Sequence, residues 1–279
     1  MKLVTKNILK TVFPKRKKDV RKYDFGSLLI IGGSKLYTGA PAMSAIAAYK
    51  VGVDVVTVAA PERAANIIAS YAPEVIAYPL KGDYFTLEHL NDLEELEKGK
   101  TAVLIGNGLG RKDSTLSTSL YYIKKTKLPC VVDADAIHAL KDYTAEKGKK
   151  VIVTPHLGEF FAMTGIKLEG KSIEEKINIV VNEAKKRNLT ILLKGATDII
   201  SDGKNVYLNK TGSPYMTKGG TGDTLAGICA GLLARGLDTL TAACAGAYIN
   251  GKAGEIASKT FKESFMATDL ISSIHKVIK

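Results

Sequence analysis

The chain has 279 residues, 46% of them hydrophobic, with 26 glycines, 8 prolines and no tryptophan, which suits one large α/β core and excludes low-complexity disorder. Its formal charge of +12 is uneven, because nine of the first 22 residues are Lys or Arg, but only Phe13 precedes Tyr23 as an aromatic, so a nucleic-acid site is not expected. The longest apolar stretch, residues 224–234, stops at Arg235, and Cys130, Cys229 and Cys244 show no C-x-x-C spacing, so a membrane span, a zinc knuckle and a disulfide framework are excluded.

A cytoplasmic protein with a single domain over residues 1–279 is expected, residues 1–22 forming a solvated basic arm that steers anionic substrates. From residue 28 onward, apolar β-branched runs alternate with helical patterns. Strands are predicted at 28–31, 53–59, 101–105, 129–132 and 151–153, and helices at 41–50, 63–70, 114–126, 134–140 and 172–187. Strands that are apolar throughout are buried on both faces, which means a mainly parallel sheet with helices on either side. Residues 190–194, 198–201 and 205–208 are three short strands broken by Gly195-Ala196 and Asp202-Gly203, an antiparallel meander at a sheet edge. Three helices follow at 220–234, 239–258 and 267–276, the first two rich in Ala and Gly and so able to pack closely.

The chemistry concentrates at Gly219-Gly220-Thr221-Gly222-Asp223, which opens the helix at 220–234. Glycines let backbone amides approach an anion, and the helix start adds the positive end of its dipole. Such a setting predicts an anion hole with Asp223 ionised at a low pKa, of use through its position on a reacting hydroxyl. The competing reading makes Thr221 or Asp223 a helix cap and nothing more.

Other glycine motifs are weaker. Gly99-Lys100-Thr101 mimics the end of a Walker A loop, but Glu94 stands where its first glycine belongs and the segment precedes a strand. Gly106-Asn107-Gly108-Leu109-Gly110 follows a strand, but its third glycine falls one residue early for a dinucleotide fingerprint, which leaves a glycine turn lining a pocket. Thr154-Pro155-His156-Leu157-Gly158-Glu159 brings His156 and Glu159 to the same strand-end rim. Asp133-Ala134-Asp135 ends another strand, and one of its two acids is expected to cap the helix that follows.

Tyr37-Thr38-Gly39-Ala40-Pro41, Gly106 to Gly110, Asp133-Ala134-Asp135-Ala136, Thr154-Pro155-His156, Lys194-Gly195 and Gly219 to Asp223 occur in one order over nearly the whole chain. In that order the chain resembles the ADP/ATP-dependent NAD(P)H-hydrate dehydratases, of the ribokinase-like superfamily. The resemblance implies a three-layer ribokinase-like fold and the repair of hydrated NADH or NADPH: the ring hydroxyl is phosphorylated from ADP or ATP, and loss of phosphate restores the double bond. It implies that Asp223 is catalytic and that Ala40, Gly108, His156 and Asp223 touch the hydrated dinucleotide. Lys194, Gly195, Ala196, Thr197, Asp198, Gly220, Thr221 and Gly222 would hold the adenine nucleotide. Mg2+ is implied by nucleotide chemistry, with Glu159 as a water-mediated neighbour. A homo-oligomer is expected, and any epimerase would be a separate polypeptide, because about twenty residues precede the first strand.

The sequence departs from the family pattern at Tyr23, Asn107, Leu157 and Ser213-Pro214-Tyr215, and Tyr215 would narrow the approach to the nucleotide. Two alternatives remain open. A sister kinase acting on a hydroxymethylpyrimidine or thiazole alcohol shares the Gly-Thr-Gly-Asp helix start and the Thr-Pro-x-x-x-Glu turn, although pyrimidine kinases typically carry Asn at the place of His156. A non-catalytic nucleotide-binding regulator would bind without consuming nucleotide.

Overall fold

A computed structural model describes all 279 residues. Ten strands form one sheet in the order β1-β10-β9-β8-β7-β6-β5-β2-β3-β4. Its centre is β2 (Ser27–Ile31), β5 (Ala102–Ile105), β6 (Cys130–Val132), β7 (Val151–Val153) and β8 (Thr190–Leu193), every neighbouring pair parallel and every residue buried. On the other side of β2 lie β3 (Val55–Pro61) and β4 (Ile76–Leu80), also parallel. Successive residues of a strand point to opposite faces. Thus Leu28 and Ile30 join one core layer, and Leu29 and Ile31 the other.

The expected meander is present: β9 (Asp198–Ser201) pairs antiparallel with both β8 and β10 (Val206–Asn209). Beyond it, β1 (Lys2–Leu3) runs parallel to β10, and α1 (Ile8–Val12) buries Leu9 and Val12. The front of the basic segment is therefore part of the folded body, while Lys15, Lys17 and Lys18 are exposed. Tyr23 stands at φ 80°, the left-handed region that favours glycine, so its side chain is carried there with strain.

One helical layer contains α2 (Gly39–Lys50), α8 (Thr221–Ala234), α9 (Thr239–Phe261) and α10 (Ala267–Val277). α2 and α8 are nearly in backbone contact, since a Cβ on Gly227 would lie 2.2 Å from the Ser44 carbonyl oxygen. The other layer contains α5 (Asp113–Lys125), α6 (Leu157–Thr164) and α7 (Ile173–Arg187). Residues 134–140, read as an α-helix, form a 3-10 helix. Neither of the flanking acids caps it with its side chain, because Asp133 turns inward and Asp135 binds the Gly110 amide and Arg111. No helix is long and apolar enough to cross a membrane.

Sheet order reverses between β2 and β5: from β2 the chain proceeds outward to β3 and β4, and from β5 it proceeds the other way. Crevices at the carboxyl ends of strands form at such switch points, because the flanking connections diverge there. The turns that leave β2 and β5, including Gly32-Gly33 and Gly106 to Gly110, meet at this point, where the Gly33 amide donates to the Asn107 carbonyl at 2.8 Å.

Candidate active site

The start of α8 opens on a glycine turn beside a cavity. Gly220 is its N-cap at φ 95°, and a Cβ there would sit 2.5 Å from the Met43 sulfur, so only glycine fits the turn. No side chain caps the helix; Thr221 instead donates its hydroxyl back to the carbonyls of Met216 and Lys218. Of the first-turn amides, Thr224 donates to the Gly220 carbonyl at 3.0 Å and Thr221 makes only a long bond of 3.5 Å to the Lys218 carbonyl, while those of Gly222 and Asp223 have no backbone acceptor. Thr221 and Gly222 line a cavity of about 890 Å³, whose walls also include Lys194, Gly195, Ala196, Asp198 and His156.

Asp223, two residues into α8, accepts a 2.5 Å hydrogen bond from the Asn107 side-chain amide. The same Nδ2 donates at 3.0 Å to Asp133, a fully enclosed carboxylate at the end of β6. Asp133 also accepts from the Thr154 hydroxyl at 2.7 Å and from the Lys194 ammonium at 3.1 Å. Lys194 leaves the end of β8 and reaches Glu159 at 3.5 Å. Glu159 in turn accepts from the His156 amide at 2.8 Å, and its own amide donates to His156 Nδ1 at 3.1 Å. One polar chain thus runs from Asp223 through Asn107, Asp133, Lys194 and Glu159 to His156 at the cavity rim.

The electrostatics reverse one expectation. Burial and the nearby Asp133 push the Asp223 carboxyl up from 3.8 to about 6, in spite of the Asn107 hydrogen bond and Lys194, which act the other way. The low pKa expected from the helix dipole is therefore not found, because desolvation and a second buried carboxylate outweigh the dipole. A carboxylate poised near 6 is a better proton acceptor than a free aspartate and is still ionised at neutral pH. Burial disfavours the charge of Lys194, but Asp133 and Glu159 overcome it and hold the ammonium above the usual lysine range. Asp198 is also raised to about 6 by burial, against hydrogen bonds from Asn209 and the Gly195 amide.

The candidate residues fall into two groups. Lys194 to Ala196, Asp198, Thr221, Gly222 and His156 share the cavity wall, whereas Thr197 and Gly220 are not part of the lining. Ala40, Gly108 and Asp223 do not line that cavity but lie close to one another. A Cβ on Gly108 would lie 3.4 Å from that of Ala40, and the Ser44 hydroxyl bonds the carbonyls of both Ala40 and Asp223. Tyr215 does not narrow the cavity, since its side chain packs against the core while Pro214 and Met216 line the wall.

A model of the family described as NAD(P)H-hydrate dehydratase matches residues 28–276. The chain belongs to the NAD(P)H-hydrate dehydratase family. It is 36% identical to the ADP-dependent (S)-NAD(P)H-hydrate dehydratase of Cenarchaeum symbiosum over 100% of this chain and 97% of that one. It is 39% identical to the bifunctional NAD(P)H-hydrate repair enzyme of Methanothermobacter thermautotrophicus, matching 95% of this chain and 52% of that protein. The chain thus spans about half the length of the bifunctional relatives it matches. Among solved structures, the ADP/ATP-dependent NAD(P)H-hydrate dehydratase of Bacillus subtilis, co-crystallized with ATP/Mg2+, superposes with a TM-score of 0.86. Identity there is 26%, covering 99% of this chain and 97% of that one. The chain has the ribokinase-like fold that the resemblance implies.

The sequence assigns no role to Asn107 or Thr154, and of Asp133 and Asp135 it predicts only that one caps a helix, which leaves the buried role of Asp133 unassigned. Its strand-end position was visible, but its partners lie 21 to 61 residues away along the chain. Helix α6 was missed as well, because its N-cap is His156, whose ring nitrogen stands in for the usual hydroxyl in a capping box with Glu159.

Proposed function

We propose that this chain removes water from hydrated NADH or NADPH by phosphorylating the ring hydroxyl with ADP or ATP and releasing phosphate. The observation that carries the reading is the Asp223 carboxylate beside a glycine-opened helix start that faces a cavity containing Lys194. In this reading the nucleotide occupies the cavity, with its transferable phosphate toward the amides at Thr221 and Gly222 and its remainder along Lys194 to Asp198. The hydrated nicotinamide lies on the side of Ala40 and Gly108, with His156 at the rim between the two ligands.

Asp223 orients the substrate hydroxyl and accepts its proton as the oxygen forms its bond to phosphorus and the bond to the leaving nucleotide breaks. Phosphate then departs with the C–O electron pair, pushed by the lone pair of the ring nitrogen. Loss of a proton from the neighbouring ring carbon restores the double bond. Phosphate is a far better leaving group than hydroxide, which is the chemical reason for consuming a nucleotide. Lys194 places positive charge toward the developing phosphoryl charge while neutralising Asp133 and Glu159.

The donor set fits a metal carried in by the nucleotide. No group of three or more His, Cys, Asp or Glu side chains forms a cage, and both Glu159 oxygens face Lys194 or His156. Glu159 would therefore meet an Mg2+ ion through water, and that ion would supply charge neutralisation on the phosphate oxygens. The decisive experiment supplies hydrated NADH or NADPH with ADP or ATP and follows recovery of reduced-nicotinamide absorbance. Nucleotide consumption without that recovery would mean a kinase that stops at the phosphorylated alcohol, and binding without consumption would mean a regulator.

A further inference from the structure

Asn107 is fully buried in the turn after β5, and its backbone is pinned by the Gly33 amide at 2.8 Å. Both protons of its side-chain amide are committed, one to Asp133 at 3.0 Å and one to Asp223 at 2.5 Å. Its carbonyl oxygen, Oδ1, is buried without any partner. Buried acceptors are normally bonded, so an orphan here signals that something else fixes the orientation of the amide. The reason is visible in the two neighbours: turning the amide over would set its oxygen against two carboxylates, which can only accept.

The two acids are not held alike. Asp133 accepts from Asn107, Thr154 and Lys194, whereas the only side-chain donor to Asp223 is Asn107. Removing the Asn107 donor leaves Asp133 with two partners and the Asp223 carboxylate with none. We propose that Asn107 is a positioning residue for the reaction: its amide, clamped between Asp133 and Asp223, aims the Asp223 carboxylate at the substrate hydroxyl and keeps it in the proton-accepting form. This rests on the function proposed above and adds to it the residue that sets the state of the base.

The charged groups that face Asp223 are Asp133 at the end of β6, Asp135 in the 3-10 helix and Lys194 at the end of β8. The two acids favour protonation of Asp223, and Asn107 and Lys194 oppose it, Asn107 more strongly. A variant without the amide therefore tips the balance toward the neutral acid.

The test uses Asn107→Leu, which keeps the branched shape, is somewhat bulkier and loses both donors, with Asn107→Ser as a smaller second variant. Two readouts are taken: the pH profile of kcat with its KM values, and the carboxyl titration of Asp223 by carbon NMR, assigned by its loss in Asp223→Asn. The expected result is an acid limb and a carboxyl midpoint that both rise by about one pH unit, a tenfold change in proton affinity. That shift alone roughly halves the ionised fraction at pH 7, and with the loss of aim kcat there falls about tenfold in all, while the nucleotide KM changes little. A midpoint unchanged in whichever variant folds would overturn the proposal, as would a nucleotide KM that rises while the midpoint stays put. If the wild-type chain shows no dehydratase activity, the function fails, and the NMR midpoint still decides whether Asn107 controls Asp223.

Discussion

Replacing Asp223 by asparagine removes one charge and preserves shape, since the new side-chain oxygen can still accept from Asn107. Its folded-state carboxyl sits at about 6 against an ordinary 3.8, so the folded protein binds that proton more tightly than the unfolded chain does. Ionisation therefore costs the folded state stability: nothing below about pH 3.8, progressively more up to about 6, and the full amount above that. At about 1.4 kcal/mol per pH unit the full amount is roughly 3 kcal/mol. For a chain of this size that corresponds to about 5 °C in Tm. Asp223→Asn is thus expected to melt higher than the wild type at pH 8, with the gain vanishing toward pH 4. Under the same conditions kcat is expected to fall by roughly 10² to 10⁴, the range for a positioned acid-base group. The two assays are thermal unfolding across pH and nucleotide-dependent recovery of reduced-nicotinamide absorbance. A variant that loses Tm at pH 8, or that keeps kcat within a few-fold of wild type, would refute the reasoning, because Asp223 would then be a structural carboxylate. In the wild type, kcat should decline as pH drops through about 6, where Asp223 takes up its proton.

Other perturbations separate the parts of the site. Gly222→Val places a β-branched side chain at the helix start, where even a Cβ would lie 3.5 Å from the Lys194 ammonium; nucleotide affinity by calorimetry should drop at least tenfold with the fold intact. Lys194→Met leaves Asp133 and Glu159 without their shared cation and should cost about 3 kcal/mol at neutral pH, read from denaturant midpoints. Changing Lys15, Lys17 and Lys18 to Gln should leave Tm unaltered, because all three are exposed. Truncating residues 1–13 should lower it, because Leu9 and Val12 are buried and β1 is lost from the sheet edge.

How much of this was legible in the sequence depends on the distance over which each feature is decided. The five central strands and the meander at residues 190–208 were readable because a strand buried on both faces must be apolar throughout, and that is a local pattern. β4 was not, because it is an edge strand that contains Pro79 and is largely uncovered, so its composition carries no burial signal. The glycine-opened start of α8 was readable for the same local reason as the central strands: a backbone at φ 95° selects glycine, and Gly220 is there.

The sequence alone thus determined the layer architecture, the glycine-opened turn of α8 and the identity of Asp223 as the acid beside it. Tertiary structure decided what kind of acid it is. Asn107, Asp133 and Asp223 are brought together across separations of 26 and 116 residues only because the sheet order reverses between β2 and β5. Local reasoning saw a carboxylate at a helix N-terminus and inferred a low proton affinity. Burial next to a second carboxylate from a distant strand reverses that inference, because the cost of desolvating a charge depends on everything packed around it.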